Sequence, residues 1–166
     1  MDPDGRKVQA VSISPEKSCI FNCAICNLGK TKYQGEWHDF GPAEESLEGL
    51  RQKIAQEKPE LVELYGKGDI LTNVHLGEII DCIHHQGLPV RMLTNCYLLG
   101  IPGHIELACK CEEVVAGFCF TDEEDFQKIH RPVPELHFSA AKQTESMIAF
   151  SRQYQGRFTL RVLLVK

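Results

Sequence analysis

The chain has 166 residues, enough to bury a sizeable core, and a single domain over residues 1–166 is expected. With 18 Lys and Arg against 23 Asp and Glu, and a formal net charge of −5, it carries no basic stripe of the kind that tracks a nucleic-acid backbone. The N-terminal "MDPDGRKVQA" is charged where a signal peptide is apolar, and no run approaches the ~20 apolar residues of a membrane span, so a cytoplasmic protein without a membrane partner is expected.

In chain order, "VQAVSIS" (8–14) reads as a first strand closed by Pro15, and a cysteine-bearing loop follows it. "GPAEESLEGLRQKIAQ" reads as a helix. Pro42 suits its first turn, and Glu44 and Glu45 fall at the positive end of its dipole. "ELVELYGKG" runs from a second strand into a glycine turn, "HLGEIIDCIHHQG" is helical up to Gly87, and "LPVRMLTN" is a third strand. "GHIELACK" is a short helix and "EEVVAGFCF" a fourth strand. "DEEDFQKIH" and "AAKQTESMIAFSRQYQG" are helices, and "FTLRVLLVK" is a fifth strand. This alternation predicts an α/β fold: a parallel sheet with crossover helices. Right-handed βαβ units build either an open doubly wound sheet or part of a barrel, and periodicity alone does not choose. Both bind ligands at the carboxyl ends of the strands. The cysteine loop, "YGKGDILTN", "LTNCY" and "FCFTDEED" are therefore expected at one rim.

"SCIFNCAICNLGKT" (18–31) puts Cys19, Cys23 and Cys26 inside eight positions with no fourth cysteine nearby. The eight cysteines of the chain would suit a disulfide framework in a small secreted protein, but without export signals metal ligation or buried thiols fit better. A structural zinc site closes with four ligands, whereas three thiolates on a four-iron cluster leave one iron open. The alternatives are a zinc site completed by a histidine such as His38, or three incidental thiols. Other clusters have simpler readings. His84 and His85 are consecutive on a helix and cannot face one site together. Cys82, Cys109 and Cys111 read as ordinary thiols. The acidic "TDEEDF" suits a helix start capped by Thr121 or Asp122. Arg161 shares a strand face with Thr159 and Leu163, from which it points inward or makes a surface ion pair.

The spacing Cys19-x3-Cys23-x2-Cys26, followed by "NLGKT", resembles radical S-adenosylmethionine enzymes, in particular a subgroup labelled Fe–S oxidoreductases. "LPVRMLTNCYLL", "DEEDFQKIHRP" and "RFTLRVLLVK" are similar to that subgroup's later segments, so the resemblance covers nearly the whole chain. It implies a partial TIM-like (β/α) barrel with a curved, parallel, incompletely closed sheet. It also implies a 4Fe-4S cluster on Cys19, Cys23 and Cys26, whose open iron takes S-adenosylmethionine. An external one-electron reductant would drive cleavage to methionine and a 5′-deoxyadenosyl radical, which removes hydrogen from a substrate that the residues do not name.

Carried over position by position, the resemblance puts Ile25 against the adenine and Gly66, Gly68 and Asp69 at the methionine amino group. It puts Asn95 at the end of strand three and Thr121, with Cys119 and Asp122 nearby, beside the ribose. Arg161 is a candidate partner for the cofactor carboxylate. Ile70 stands where the family has proline after Gly-Glu, and Cys96 stands at the usual turn glycine, where a positive φ is expected. The family core has six βα units and this chain shows five. A missing C-terminal part, or pairing with another chain, would cover the open sheet edge. A different class remains beside this one: an iron–sulfur or zinc-binding protein that keeps the loop without the radical chemistry. A flavodoxin-like sheet is disfavoured, because no Gly-rich phosphate loop follows strand one.

Overall fold

The structure is a computed structural model and describes residues 1–32, 35, 37–41, 43–133 and 137–164, without the side chains of residues 43, 45 and 46. Five strands, β1 (Val8–Ser12), β2 (Leu61–Tyr65), β3 (Val90–Thr94), β4 (Glu113–Phe118) and β5 (Arg157–Val162), form one parallel sheet in sequential order. Every neighbouring pair is parallel, and β1 and β5 are the two unpaired edges, so the sheet is unclosed. The helices are α1 (Ala43–Glu57), α2 (Leu76–His84), α3 (His104–Cys109), α4 (Glu123–His130) and α5 (Ala140–Gln153). The parallel α/β architecture is the one that the alternation of strands and helices predicts, and the incompletely closed sheet is the one that the resemblance implies. The expected proline of the first helical turn falls on Pro42, outside the described residues. Among the described residues no helix is long and apolar enough to cross a membrane.

Alternation along the strands separates two faces. On one, Val62, Leu64, Val90, Met92, Val114 and Ala116 are fully buried. They belong to one core with the apolar stripes of the helices: Leu47, Leu50 and Ile54 of α1, Leu76, Ile79, Ile80 and Ile83 of α2, and Met147 and Phe150 of α5. The spacing of three and four residues in those stripes explains why these segments are helices rather than strands.

The other face is layered. At the amino ends of the strands Arg91 is 11% exposed and links three carboxylates. It reaches Glu113 Oε2 at 2.7 Å, Asp2 Oδ2 at 2.8 Å and Glu63 Oε2 at 3.3 Å. Arg6 closes the layer with 2.7 Å to Glu113 and 2.8 Å to Asp2. The registers Glu63–Arg91 and Arg91–Glu113 make this a cross-strand ladder. Above it lie Leu93 and Val115, and above those the rim carries Asn95, Gly117 and Arg161. Polar residues at this end hold the sheet together, which leaves the carboxyl-end rim for chemistry.

Two short 3-10 turns absent from the sequence reading lie at that rim, Ile70–Thr72 after β2 and Tyr97–Gly100 after β3. They cap the strands with fully buried Ile70, Leu71, Leu98 and Leu99. Cys96 precedes the second turn with φ +65°, the left-handed conformation expected at that position.

Candidate functional site

The cysteine loop runs from residue 15 to residue 32 and has no regular secondary structure, so its shape rests on specific bonds. The Thr31 hydroxyl donates to the Cys19 carbonyl at 2.6 Å and accepts from the Cys19 amide at 3.0 Å. The Thr31 amide in turn donates to Asn22 Oδ1 at 2.7 Å, and the buried Lys17 ammonium reaches the Gly29 carbonyl. The "NLGKT" tail therefore folds back and fastens the amino-terminal half of the cysteine segment. Its far side is tied to the end of α4. The Asn22 amide donates to the Arg131 carbonyl at 3.0 Å, Ala24 to Ile129 at 2.7 Å, and Val133 to Ile20 at 3.1 Å.

A cavity of about 420 Å³ opens on the uncovered face at this rim, within the usual size range of ligand pockets. Cys19, Cys23 and Cys26 all line it, with Gly66, Gly68 and Asp69 from the turn after β2, Asn95 after β3, and Arg161 on β5. Eight of the ten residues that the sequence singles out thus share one cavity. The other two do not line it. Ile25 is 47% exposed on the loop. Thr121 donates to Asp125 Oδ2 at 2.6 Å at the start of α4, where Asp122 accepts from the Asp125 amide and is the cap.

Asp69 is 3% exposed and shaped by its bonds. Its carboxylate accepts from the Leu71 amide at 3.0 Å, the Asn95 amide at 2.9 Å and the Thr94 hydroxyl at 2.8 Å. Burial raises its pKa above the ordinary carboxylate value, outweighing these hydrogen bonds, which lower it. Both oxygens are engaged with the chain, so Asp69 is a brace between the turn after β2 and the end of β3. That brace aims Asn95. The Asn95 Oδ1 accepts from the Tyr97 amide at 3.0 Å, which leaves its Nδ2 to donate to Cys19 Sγ at 3.7 Å.

The resemblance implies a glycine at 68 for close approach to a ligand; the structure gives it a neighbour in the chain itself. A Cβ on Gly68 would stand 1.7 Å from the Ser18 carbonyl oxygen, and the adjacent Asp69 amide donates to that oxygen at 3.1 Å. Gly68 thereby lets the cysteine loop lie directly on the β2 turn. Gly117 differs: its Cβ would meet only the Thr94 carbonyl at 3.9 Å, so it leaves open space in the cavity floor.

Burial, joined by the nearby Asp69 carboxylate, pushes the Cys19 thiol up to about 12, and burial beside Cys119 pushes Cys23 up to about 11. Free thiols here hold their protons, and a metal must displace them. His38 is not the histidine of this site; its amide donates to the Thr72 carbonyl at 2.6 Å and its ring lies on Phe40. The imidazole among the cysteines is His130, which the sequence reading passed over. Its Nδ1 lies 3.4 Å from Cys23 Sγ and its Nε2 3.5 Å from Cys119 Sγ. Among the described residues no three His, Cys, Asp or Glu side chains converge as they would around a single metal ion.

No family model matches the chain. A UPF0026 protein of Synechocystis sp. is 28% identical over 167 residues, covering 98% of this chain and 61% of that protein. A UPF0026 protein of Methanocaldococcus jannaschii is 22% identical and covers 96% of this chain and 50% of its own length. The chain spans between half and three-fifths of these curated relatives. Among solved structures, native anSMEcpe with bound AdoMet superposes with a TM-score of 0.62 at 15% identity, over 92% of this chain and 43% of that one. At that identity the likeness is one of fold. It is the fold in which AdoMet is bound in that structure.

The donor set fits an iron–sulfur cluster with one open position. Three thiols from one short loop face one cavity, and both ring nitrogens of His130 already face sulfur. A four-iron cluster places each thiolate on a different iron, so its ligands need not converge as those of a lone ion do. The cavity also holds Lys17, Lys67 and Arg161, cations that would offset the negative charge of a cluster carrying three thiolates.

Proposed function

We propose that Cys19, Cys23 and Cys26 hold a 4Fe-4S cluster and that the cavity beside it binds S-adenosylmethionine, as in radical S-adenosylmethionine enzymes. When bound and reduced by an external one-electron donor, this pair would supply a 5′-deoxyadenosyl radical for hydrogen abstraction from a substrate. The observation that carries the reading is the convergence of the three loop thiols, the β2 turn, Asn95 and Arg161 on one cavity at the carboxyl rim. The AdoMet-bound structure of the same fold supports it.

Within this reading each residue has a defined task. Thr31 and Lys17 keep the loop folded around its thiols, and Asp69 aims Asn95 so that its amide donates to the Cys19 sulfur. Arg161 lines the cavity and has no ion-pair partner among the described residues, so it is available to the cofactor carboxylate. Leu93, Val115 and Gly117 form an apolar floor beneath the proposed cofactor. The uncovered edge of β5, with Leu160, Val162 and Leu163 about half exposed, is the place for a further part of the protein or a second chain to pack.

The test is anaerobic reconstitution with iron and sulfide. Four irons and four sulfides per chain are expected, lost on replacing any of Cys19, Cys23 or Cys26 with Ala. S-adenosylmethionine should then perturb the cluster's EPR spectrum, and 5′-deoxyadenosine should accumulate after reduction. A loaded cluster without cofactor cleavage would favour an iron–sulfur protein without radical chemistry. Retention of the cluster by all three Ala variants would refute the ligand assignment.

A further inference from the structure

His130 ends α4 and is 4% exposed. Three phenylalanines enclose its ring: Phe21 at 4.6 Å, Phe126 at 5.0 Å and Phe120 at 5.7 Å between centroids. The two ring nitrogens escape this cage only towards sulfur, Nδ1 towards Cys23 at 3.4 Å and Nε2 towards Cys119 at 3.5 Å. Cys119 is itself buried and does not line the cavity.

This geometry points to a role for His130, resting on the cluster assignment above: we propose that it is a positioning residue whose Nδ1–H donates a hydrogen bond to the Cys23 sulfur. The direction follows from chemistry. A thiolate bound to iron has lone pairs but no proton, so the nitrogen facing it must carry the hydrogen. That holds for the neutral ring and for the imidazolium alike. In the neutral ring Nε2 is then the acceptor, and the Cys119 S–H donates to it, which fixes the tautomer in the way that an outer partner fixes a metal-bound histidine. Cys119 is thereby a thiol in service of the loop and not a ligand of the cofactor.

The hydrogen bond has two consequences. Drawing electron density from a cluster sulfur favours the reduced cluster, since hydrogen bonds to sulfur are among the determinants of cluster potential. It also holds the Cys23 side chain in place, because the imidazole is locked by the aromatic cage on a helix that the loop backbone already grips. Asn95 does the same for Cys19 from the carboxyl end of β3.

Three variants separate the hydrogen bond from packing. His130→Phe keeps an aromatic ring and loses both polar contacts. His130→Asn places an amide N–H near the Nδ1 position, and His130→Gln reaches the Nε2 position instead. In the reconstituted protein, His130→Phe and His130→Gln should move the cluster's midpoint potential to more negative values. They should also speed iron release to a chelator about tenfold or more, the usual scale for losing an outer partner of a metal ligand. His130→Asn should restore both properties towards the parent. Should the Phe variant fail to fold, the Asn and Gln pair carries the comparison. Equal shifts in all variants would make the effect one of packing and overturn the proposal, as would parent-like potentials throughout. A parent protein that takes up no cluster would instead remove the functional reading itself, and this inference with it.

Discussion

Replacing Gly68 with alanine adds one methyl group at the contact between the β2 turn and the cysteine loop. That methyl would stand 1.7 Å from the Ser18 carbonyl oxygen, 2.4 Å from its carbon and 2.9 Å from its nitrogen, and all three are backbone atoms that cannot rotate away. Opening the first separation to the 3.0 Å below which real Cβ contacts essentially never fall must lengthen the adjacent hydrogen bond from the Asp69 amide to that same oxygen, now 3.1 Å. Overpacking costs about 1–3 kcal/mol. A buried amide left without its partner costs about 1–3 kcal/mol more. The expected loss is about 2–6 kcal/mol, or roughly 4–24 °C in Tm for a domain of this size. Because Ser18 precedes Cys19 and Asp69 aims Asn95, the same displacement should reduce cluster uptake. Urea unfolding and iron analysis of the reconstituted protein check the two effects together. If Gly68→Ala unfolds at the parent's midpoint and loads iron as the parent does, the contact is not what holds the loop.

Gly117→Val tests the opposite case, because the new side chain has room and points into the cavity floor. It should fold and load a cluster like the parent while weakening S-adenosylmethionine binding by about tenfold or more, measured by titration of the EPR spectrum. Arg91→Ala removes the cation shared by Asp2, Glu63 and Glu113 but leaves Arg6 on Asp2 and Glu113, so it should cost about 1–3 kcal/mol in urea unfolding, with the thiol loop itself unchanged. The same ladder sets a pH dependence. Burial alone would raise Glu113, but the hydrogen bonds from Arg91 and Arg6 hold it below its ordinary value of 4.5. A depressed carboxyl contributes stability above that ordinary value and loses it as pH falls through the folded-state value. Thermal melts of the metal-free protein should therefore decline below about pH 4.5. Arg91→Ala should flatten the decline.

The five strands and five α-helices of the described residues are legible in the sequence because each carries a period of its own, 2.0 or 3.6, written in apolar residues. The rim follows from them, since parallel strands with crossover helices bring their carboxyl ends together. The partners of the cysteines are a different matter. His130 lies 107 positions from Cys23, and nothing in the local pattern of "DFQKIHRP" marks its imidazole for sulfur. Gly68 reads as a turn residue, and only the folded chain reveals that Ser18 occupies the space beside it. Asp69 enters the sequence reading only through the resemblance, at the methionine amino group, and only the folded chain shows that its oxygens accept from Leu71, Thr94 and Asn95. His38 is close to the loop in sequence and engaged elsewhere in space. Local periodicity specifies elements, whereas contacts between loops depend on the register of the whole sheet. The one remote hint is the histidine closing α4, at a helix end that faces the same rim.

The three main-chain bonds between the cysteine loop and the end of α4 join segments far apart in the chain, and a late place in folding is expected for them. Closing a flexible loop of that length from the unfolded chain costs about 4 kcal/mol of entropy, so those bonds should form after β2, β3 and β4 have shortened the path between their ends. The loop is therefore completed late, although it is synthesised early. A fragment ending before α4 contains all three thiols and the threonine that folds back on them, but lacks the backbone that holds their far side. Iron offered to such a fragment should bind loosely and be lost to a chelator, whereas the same iron offered to the complete α/β array should be retained.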